Sequence, residues 1–319
     1  MVQMMSVNIL LFSLGAFLLY YGADFFILGS KDLASKFSIS PIIIGITLVA
    51  LGTSLPELIV SLIAILNDGA QGIVIGNVVG SNIANIGLVL ACSAILIPIT
   101  YVFEKIKIDL YFLLLLNLIL FVFIYLGNLV LWQGLFFVTL LLIYCKYLIS
   151  KKQMQIENSV EIKNSQSNYF LNIPFGIFAL GFGAHFFILG AKGIAFILGI
   201  PPLIIGMSIV ALGTSLPELA ASIAAVKHGE IDFVIGNIIG SNIMNIAAVL
   251  GVTLMLSPIP AEFVNINFHL ITMLALTLIL IYLIKYKGGI SKYSAIILIL
   301  IYIIFIYINF QLGSQINLL

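Results

Sequence analysis

Two glutamates occur in the same sequence context, one in each half of the chain, and both lie within long apolar stretches. The decapeptide Val-Ala-Leu-Gly-Thr-Ser-Leu-Pro-Glu-Leu occupies residues 49–58 and again residues 210–219, which places Glu57 and Glu218 directly after a proline. A charged side chain at membrane depth costs roughly 2.5–3.5 kcal/mol on insertion scales and is usually kept for a function. Two such carboxylates at equivalent positions indicate one two-fold binding site for a cation.

The proline explains why further oxygen atoms would face the same cation. Pro56 has no N–H, so the carbonyl of Gly52 loses its helical donor, and we expect the helix to open near Thr53. Free carbonyls at membrane depth need a partner inside the protein or in a wet cavity, and a cation is such a partner. The Thr53 and Ser54 hydroxyls lie beside Glu57 in the sequence, whereas a simple proline kink would need no carboxylate. The second copy repeats these groups as Gly213, Thr214, Ser215, Pro217 and Glu218.

A second repeated motif follows each decapeptide. Residues 74–86 and 234–246 differ at three of thirteen positions. In the first copy Asn77, Ser81 and Asn85 are spaced i, i+4 and i+8, so they share one face of a helix. Hydrogen bonding between packed helices accounts for such residues in part, but less well for a set that converges with both glutamates. The second copy contains Asn237, Ser241 and Asn245.

These groups together provide only oxygen atoms, from carboxylates, amides, hydroxyls and backbone carbonyls. Ca²⁺ takes about six to eight oxygen ligands in adaptable geometry, whereas soft transition metals prefer sulfur or imidazole. Two glutamates balance one divalent ion, and the same oxygens could hold Na⁺, which is similar in size and also hard. A site that either ion neutralises, but not both together, is the physical basis of exchange.

The elements that must position these groups are membrane-spanning helices. Hydrophobic residues make up 62% of the 319 residues and charged residues 8%, and apolar runs of about 20 residues are long enough to cross a bilayer as a helix. A β-barrel would show short alternating segments instead. We predict an all-α membrane protein with ten transmembrane helices near 8–30, 41–66, 71–98, 108–127, 129–149, 170–198, 202–227, 232–257, 264–286 and 291–311.

Five spans per half make the two halves inverted repeats, since an odd number sends the second half into the membrane from the opposite side. We predict repeats at 1–150 and 170–319, joined by a polar cytoplasmic linker at 151–169, with the broken helices meeting at the midplane as in many secondary transporters. Of the 13 basic residues, all of them lysines, Lys192 alone would face outside if the N-terminus does. The positive-inside rule therefore places both termini of this multi-pass cell-membrane protein on the extracellular or periplasmic side.

At these motifs the chain resembles a prokaryotic member of the sodium/calcium exchangers, within the calcium/cation antiporter superfamily. Those proteins carry two inverted repeats with Gly-Thr-Ser-x-Pro-Glu and Gly-Ser-Asn/Ser-x-x-Asn/Asp motifs, and they exchange Ca²⁺ for Na⁺ by alternating access. The resemblance implies that Glu57 and Glu218 bind Ca²⁺ together with the Thr53 and Thr214 carbonyls. It implies sodium sites completed by Ser54, Ser81, Asn85, Ser215, Ser241 and Asn245, with carbonyls from Ala50 and Ala211.

One position bears on the transported ions. Potassium-dependent exchangers have Asp where this chain has Asn245, so with Asn at both 85 and 245 the site holds two formal charges. The resemblance therefore predicts K⁺-independent exchange of Ca²⁺ for Na⁺. A proton-coupled Ca²⁺ antiporter is the alternative within transport, and a passive cation channel is a further one.

Other classes of function fit the sequence poorly. A hydrolase using Ser54 or Ser215 would need a base nearby, and no Lys or His recurs beside either serine, so we expect no enzymatic activity. The net charge of +1 gives no reason to expect nucleic acid. We expect no cofactor and no obligate protein partner, only the lipid bilayer and the ions.

Two further polar positions break the repeat. Asp24 aligns with His185; we expect Asp24 to be a hydrogen-bonded interface group and His185 a packing residue, and their functional roles stay open. The remaining acidic residues near span ends are interpreted as solvated, namely Glu104, Asp109, Glu157, Glu161, Glu230 and Asp232.

Overall fold

A computed structural model of the protein describes residues 2–66, 71–156, 168–198, 213–260 and 267–316. The first half forms α1 (Val2–Lys36), α2 (Pro41–Thr53), α3 (Leu55–Leu66), α4 (Gln71–Leu96), α5 (Phe103–Tyr125) and α6 (Leu131–Ile156). The second half forms α7 (Tyr169–Ile197), α8 (Leu216–Lys227), α9 (Ile231–Leu256), α10 (Asn267–Lys287) and α11 (Lys292–Ile316). A short antiparallel pair, β1 (Ile99–Thr100) and β2 (Gly289–Ile290), connects the loops after α4 and α10.

The described helices form a multi-pass, all-helical membrane protein. Eight of them are long and apolar enough to cross a bilayer, and α2 with α3 forms a ninth, broken span. Many large apolar side chains are exposed on the outer helices, as expected for contact with lipid tails. The predicted span at 202–227 is described only from residue 213 onward, and most of the predicted linker, 157–167, lies outside the described residues.

The break predicted before the repeated glutamates is present in both halves. α2 and α3 meet at an angle of 43°, and Ser54 between them has φ −86° and ψ 5°. Ser215, directly before α8, has φ −86° and ψ 6°. The break therefore falls one residue after Thr53, because Pro56 lies in the first turn of α3, where a missing N–H needs no partner.

The second repeated motif also has the same backbone in both copies. Within α4 the helix widens to a π-helical segment at Asn85–Leu90, and within α9 it does so at Asn245–Leu250. Short π-helical segments inside α-helices are rare and occur frequently at functional sites. Each segment begins at the asparagine that the sequence assigned to the cation site.

α4 and α9 lie at the centre of the protein, with most of each span buried. α9 approaches α2 through two glycines. A Cβ on Gly236 would lie 2.8 Å from Gly45 Cα, and one on Gly240 would lie 2.6 Å from Ala50 Cβ. Small residues allow helix axes to come this close, so α9 holds the backbone of α2 that ends at Thr53.

α1 and α7 pack against each other in antiparallel fashion along their length. Position 15 of α1 meets Phe187 of α7, position 22 meets Ala179, and position 29 meets Asn172. The contact is lined by glycines at seven-residue intervals in both helices, a set we call the glycine seam: Gly15, Gly22 and Gly29 of α1 with Gly176, Gly183 and Gly190 of α7.

Candidate cation-binding site

Glu57 and Glu218 are both completely buried. Each lies in the first turn of a helix, Glu57 in α3 and Glu218 in α8. The unpaired N–H groups and the dipole at a helix N-terminus favour negative charge, so each helix break places a carboxylate where it is least costly. Two buried like charges repel each other, and a cation between them would relieve that repulsion.

A direct contact links the two halves at the carboxylates. The Ser54 hydroxyl, at the break in the first half, donates to Glu218 Oε1 at 3.0 Å. Both side chains are buried. The structure therefore places Ser54 and Glu218 in contact. In the sequence they lie in different halves, and only the repeat indicated that they share a site.

Thr53 connects α2 to the polar face of α9. Its hydroxyl oxygen lies 3.1 Å from both the Val49 carbonyl oxygen and Asn237 Oδ1. Ser241 Oγ donates to the same Asn237 oxygen at 3.3 Å and lies 3.4 Å from Thr53 Oγ1. Thr53 and Ser241, which come from different halves, are thus neighbours.

Asn77 and Asn237 hold the backbone of the glutamate in their own half. Asn77 Nδ2 donates to the Glu57 carbonyl at 2.9 Å, and Asn237 Nδ2 donates to the Glu218 carbonyl at 3.3 Å. The same nitrogens contact hydroxyls four residues after each glutamate, at 2.9 Å and 3.1 Å, on Ser61 and Ser222. These serines were not predicted from the sequence, although both follow the repeated Leu-Pro-Glu-Leu by the same number of residues.

Asn85 and Asn245 are fully buried at the start of the two π-helical segments. Asn85 Nδ2 donates to Asn242 Oδ1 at 3.0 Å, and Asn245 Nδ2 donates to Asn82 Oδ1 at 3.1 Å. Asn82 and Asn242 were not among the predicted site residues, although both motif copies contain them.

Seven buried side-chain oxygens of the predicted ligands have no hydrogen-bond partner among the described residues. A polar atom buried without a partner costs about 1–3 kcal/mol, so a concentration of them needs a reason. All are oxygens, the atoms that Ca²⁺ and Na⁺ prefer, and they come from both halves. They are Glu57 Oε1 and Oε2, Ser81 Oγ, Asn85 Oδ1, Ser215 Oγ, Glu218 Oε2 and Asn245 Oδ1.

The remaining predicted ligands are placed less completely. Ala50 is buried, and its carbonyl accepts the Ser54 N–H at 3.0 Å. Thr214 is half-buried in the turn before α8. Ala211 lies outside the described residues.

Asp24 joins α1 to the end of α8, as predicted for an interface group. One carboxylate oxygen lies 2.7 Å from Lys227 Nζ and the other 3.1 Å from His228 Nε2. His185 is exposed, and its ring lies 5.8 Å from that of Phe186, centroid to centroid.

The expectation that all other acidic residues are solvated was wrong for Asp109. This carboxylate is fully buried and accepts a hydrogen bond from the Tyr144 hydroxyl at 2.7 Å. The reason is that α5 begins at Phe103, not at 108, which moves Asp109 into its second turn. Glu104 is exposed and pairs with Lys107, whereas Glu157 and Glu161 lie outside the described residues.

Comparison with known proteins gives consistent matches over nearly the whole chain. The family model described as "Sodium/calcium exchanger protein" matches residues 7–150 and 169–311. The sodium/calcium exchanger MaX1 of Methanosarcina acetivorans is 32% identical, covering 97% of this chain and 100% of that protein. An uncharacterized membrane protein of Methanocaldococcus jannaschii is 38% identical, covering 92% and 95%.

Solved structures of the sodium-calcium exchanger NCX_Mj have a similar fold. The structure soaked with 10 mM Na⁺ and 10 mM Sr²⁺ superimposes with a TM-score of 0.81 at 36% identity, covering 93% of this chain and 97% of that one.

Proposed function

This chain belongs to the sodium/calcium exchanger family of membrane antiporters, and from that premise we propose that it exchanges Ca²⁺ for Na⁺ at the site around Glu57 and Glu218. The observation that carries the proposal is the group of seven buried oxygens without partners, supplied by both halves of the chain. Neither packing nor proline kinks require these atoms to be left without donors.

Electrostatics explains why such a site would exchange ions and not release them freely. Without a cation the two buried carboxylates repel each other, and moving them past the low-dielectric interior is costly. A single Ca²⁺, or Na⁺ ions in its place, neutralises them. The transition that moves access to the site from one side of the membrane to the other is then favoured only when cations are bound. This couples the movement of one ion to that of the other.

We propose that the site is built from ten helices in two inverted repeats, residues 1–150 and 170–319, joined by a cytoplasmic linker at 151–169. Support comes from the matching breaks at Ser54 and Ser215, the matching π-helical segments, and the antiparallel packing of α1 on α7. The distribution of lysines supports placing both termini outside the cell membrane.

Sodium is the coupling ion that the site chemistry favours. The carboxylates are accompanied by hydroxyl and amide oxygens, whereas a proton carrier needs little beyond the carboxylates themselves. The neutral amide of Asn245 limits the site to two formal charges, which supports exchange without K⁺. A proton-coupled Ca²⁺ antiporter is the second candidate, and it predicts Ca²⁺ flux driven by a pH gradient in the absence of Na⁺.

The test is Ca²⁺ uptake into proteoliposomes loaded with Na⁺. We expect Glu57→Gln and Glu218→Gln to abolish uptake while the proteins still insert and fold, because one remaining charge cannot balance Ca²⁺. Glu104→Gln, which changes an exposed glutamate that pairs with Lys107, is the control and should transport normally. Near-normal uptake by either site variant would refute the proposal.

A further measurement separates a carrier from a channel. A carrier accelerates the exchange of labelled Ca²⁺ when unlabelled Ca²⁺ is present on the opposite side, and the rate saturates. Uptake that neither saturates nor responds to Ca²⁺ on the opposite side would identify a passive pathway.

A further inference from the structure

Asn82 and Asn242 lie at the centre of the contact between α4 and α9. Each is about 1% exposed, and each accepts a hydrogen bond from an asparagine of the other half. We propose that Asn82 and Asn242 are positioning residues that fix which way the amides of Asn245 and Asn85 face, and thereby present an amide oxygen, not an N–H group, to the ions. This inference rests on the proposed function, because it concerns ligands of the same site.

The surroundings of Asn82 determine the orientation of its own amide. Its nitrogen lies 3.3 Å from the Asn242 carbonyl oxygen and 3.7 Å from Met273 Sδ. Both of these atoms can only accept a hydrogen bond. The Asn82 oxygen must therefore be the atom that faces Asn245.

That orientation dictates what Asn245 presents to the site. An amide oxygen can only accept, so Asn245 must direct its nitrogen toward Asn82, at 3.1 Å. Its oxygen then faces away, and it is one of the seven buried oxygens without a partner. Asn82 thus turns an amide that could face either way into an oxygen ligand.

A hydrogen bond of the same kind is present in the opposite half. Asn242 Oδ1 accepts from Asn85 Nδ2 at 3.0 Å, and the Asn85 oxygen is likewise buried without a partner. The backbone carbonyl of Asn242 is the group that orients Asn82. Hydrogen bonds between asparagines therefore cross the α4–α9 contact in both directions.

The first test is ion binding by the purified full-length protein, measured by calorimetric titration with Na⁺ and with Ca²⁺. Asn82→Leu removes the acceptor at nearly constant volume, so the Asn245 amide can turn its N–H groups toward the ions. We expect affinity for both ions to fall at least about fivefold, equivalent to about 1 kcal/mol. Asn82→Asp keeps an acceptor oxygen facing Asn245, because its other oxygen can carry a proton and donate it to the Asn242 carbonyl, and it should bind both ions about as tightly as the unaltered protein.

Asn117→Leu is the matched control. Asn117 is equally buried and donates to Thr277 at 2.8 Å, between α5 and α10. We expect it to lower the melting temperature without lowering ion affinity, whereas a merely structural role for Asn82 would give the same pattern at both positions. The inference is overturned if Asn82→Leu binds as tightly as Asn117→Leu, or if Asn82→Asp loses as much affinity as Asn82→Leu.

A further variant keeps the test decisive. Asn242→Leu applies the same reasoning to Asn85 and should lose affinity similarly, which matters if Asn82→Leu fails to fold. An unaltered protein that binds neither ion would instead refute the proposed function.

Discussion

A methyl group at Gly236 tests whether the close approach of α2 and α9 sets the geometry of the site. The added Cβ would lie 2.8 Å from both Gly45 Cα and the Ile42 carbonyl oxygen, and these backbone atoms cannot rotate aside. Ordinary van der Waals contact begins near 3.4 Å. In Gly236→Ala the two helices must therefore separate by about 0.6 Å, the difference between these distances, or bend by a similar amount.

A shift of that size reaches the next residue of α9. Thr53 Oγ1 lies 3.1 Å from Asn237 Oδ1, and the separation would become about 3.7 Å, too long for a hydrogen bond. Overpacking of this kind costs about 1–3 kcal/mol, more than the roughly 1 kcal/mol that alanine adds to helix propensity. The lost contact at Thr53, about 1 kcal/mol, corresponds to about fivefold in ion affinity.

The assay combines thermal unfolding of the purified protein with Na⁺-driven Ca²⁺ uptake in proteoliposomes. Gly236→Ala should melt several degrees lower and need about fivefold more Ca²⁺ for half-maximal uptake. Gly181→Ala on α7 is the control, because no described atom lies within 4 Å of a Cβ there. Unchanged melting and uptake in Gly236→Ala would refute the view that this contact holds the site in place.

Three further predictions concern single contacts and ions. Ser54→Ala removes the donor to Glu218 and should weaken Ca²⁺ affinity about tenfold, as for a hydrogen bond to a charged group; unchanged affinity in titration calorimetry would contradict this. Tyr144→Phe should lower stability by about 1.5–3 kcal/mol because buried Asp109 loses the hydrogen bond from the Tyr144 hydroxyl. The control Tyr302→Phe changes another buried tyrosine, and equal melting temperatures for the two variants would count against this role. Ca²⁺ uptake into Na⁺-loaded vesicles should proceed at the same rate whether the external salt is K⁺ or choline, and a rate that rises with K⁺ would show that the two-charge site is misassigned.

The repeated motifs made the two glutamates and their neighbours predictable. Glu57 and the residues just before it are adjacent in the sequence. The helical period and the break at the proline therefore place them close together. Asn77 and Ser81 follow from the four-residue spacing alone. The family resemblance added the assignment of individual oxygens to Ca²⁺ or Na⁺.

The remaining site residues depended on contacts between the halves. Asn82 sits one position away from the predicted polar face, and only the packing of α4 against α9 shows that its partner is Asn245. The burial of Asp109 depended on where α5 begins, and the flanking Lys105 and Lys107 made that segment resemble a loop. Helix ends are set by tertiary contacts as much as by composition, so such errors concentrate there.

The glycine seam between α1 and α7 also sets the order of assembly during biosynthesis. Gly15 of α1 contacts Phe187 of α7, so its partner surface does not exist until well over half of the chain has been made. At about 5–20 residues per second, the intervening chain takes on the order of ten to thirty seconds to synthesise. During that interval α1 must reside in the bilayer with its glycine face against lipid or against the translocation machinery. α1 is therefore in place well before the helix that it packs against has been made.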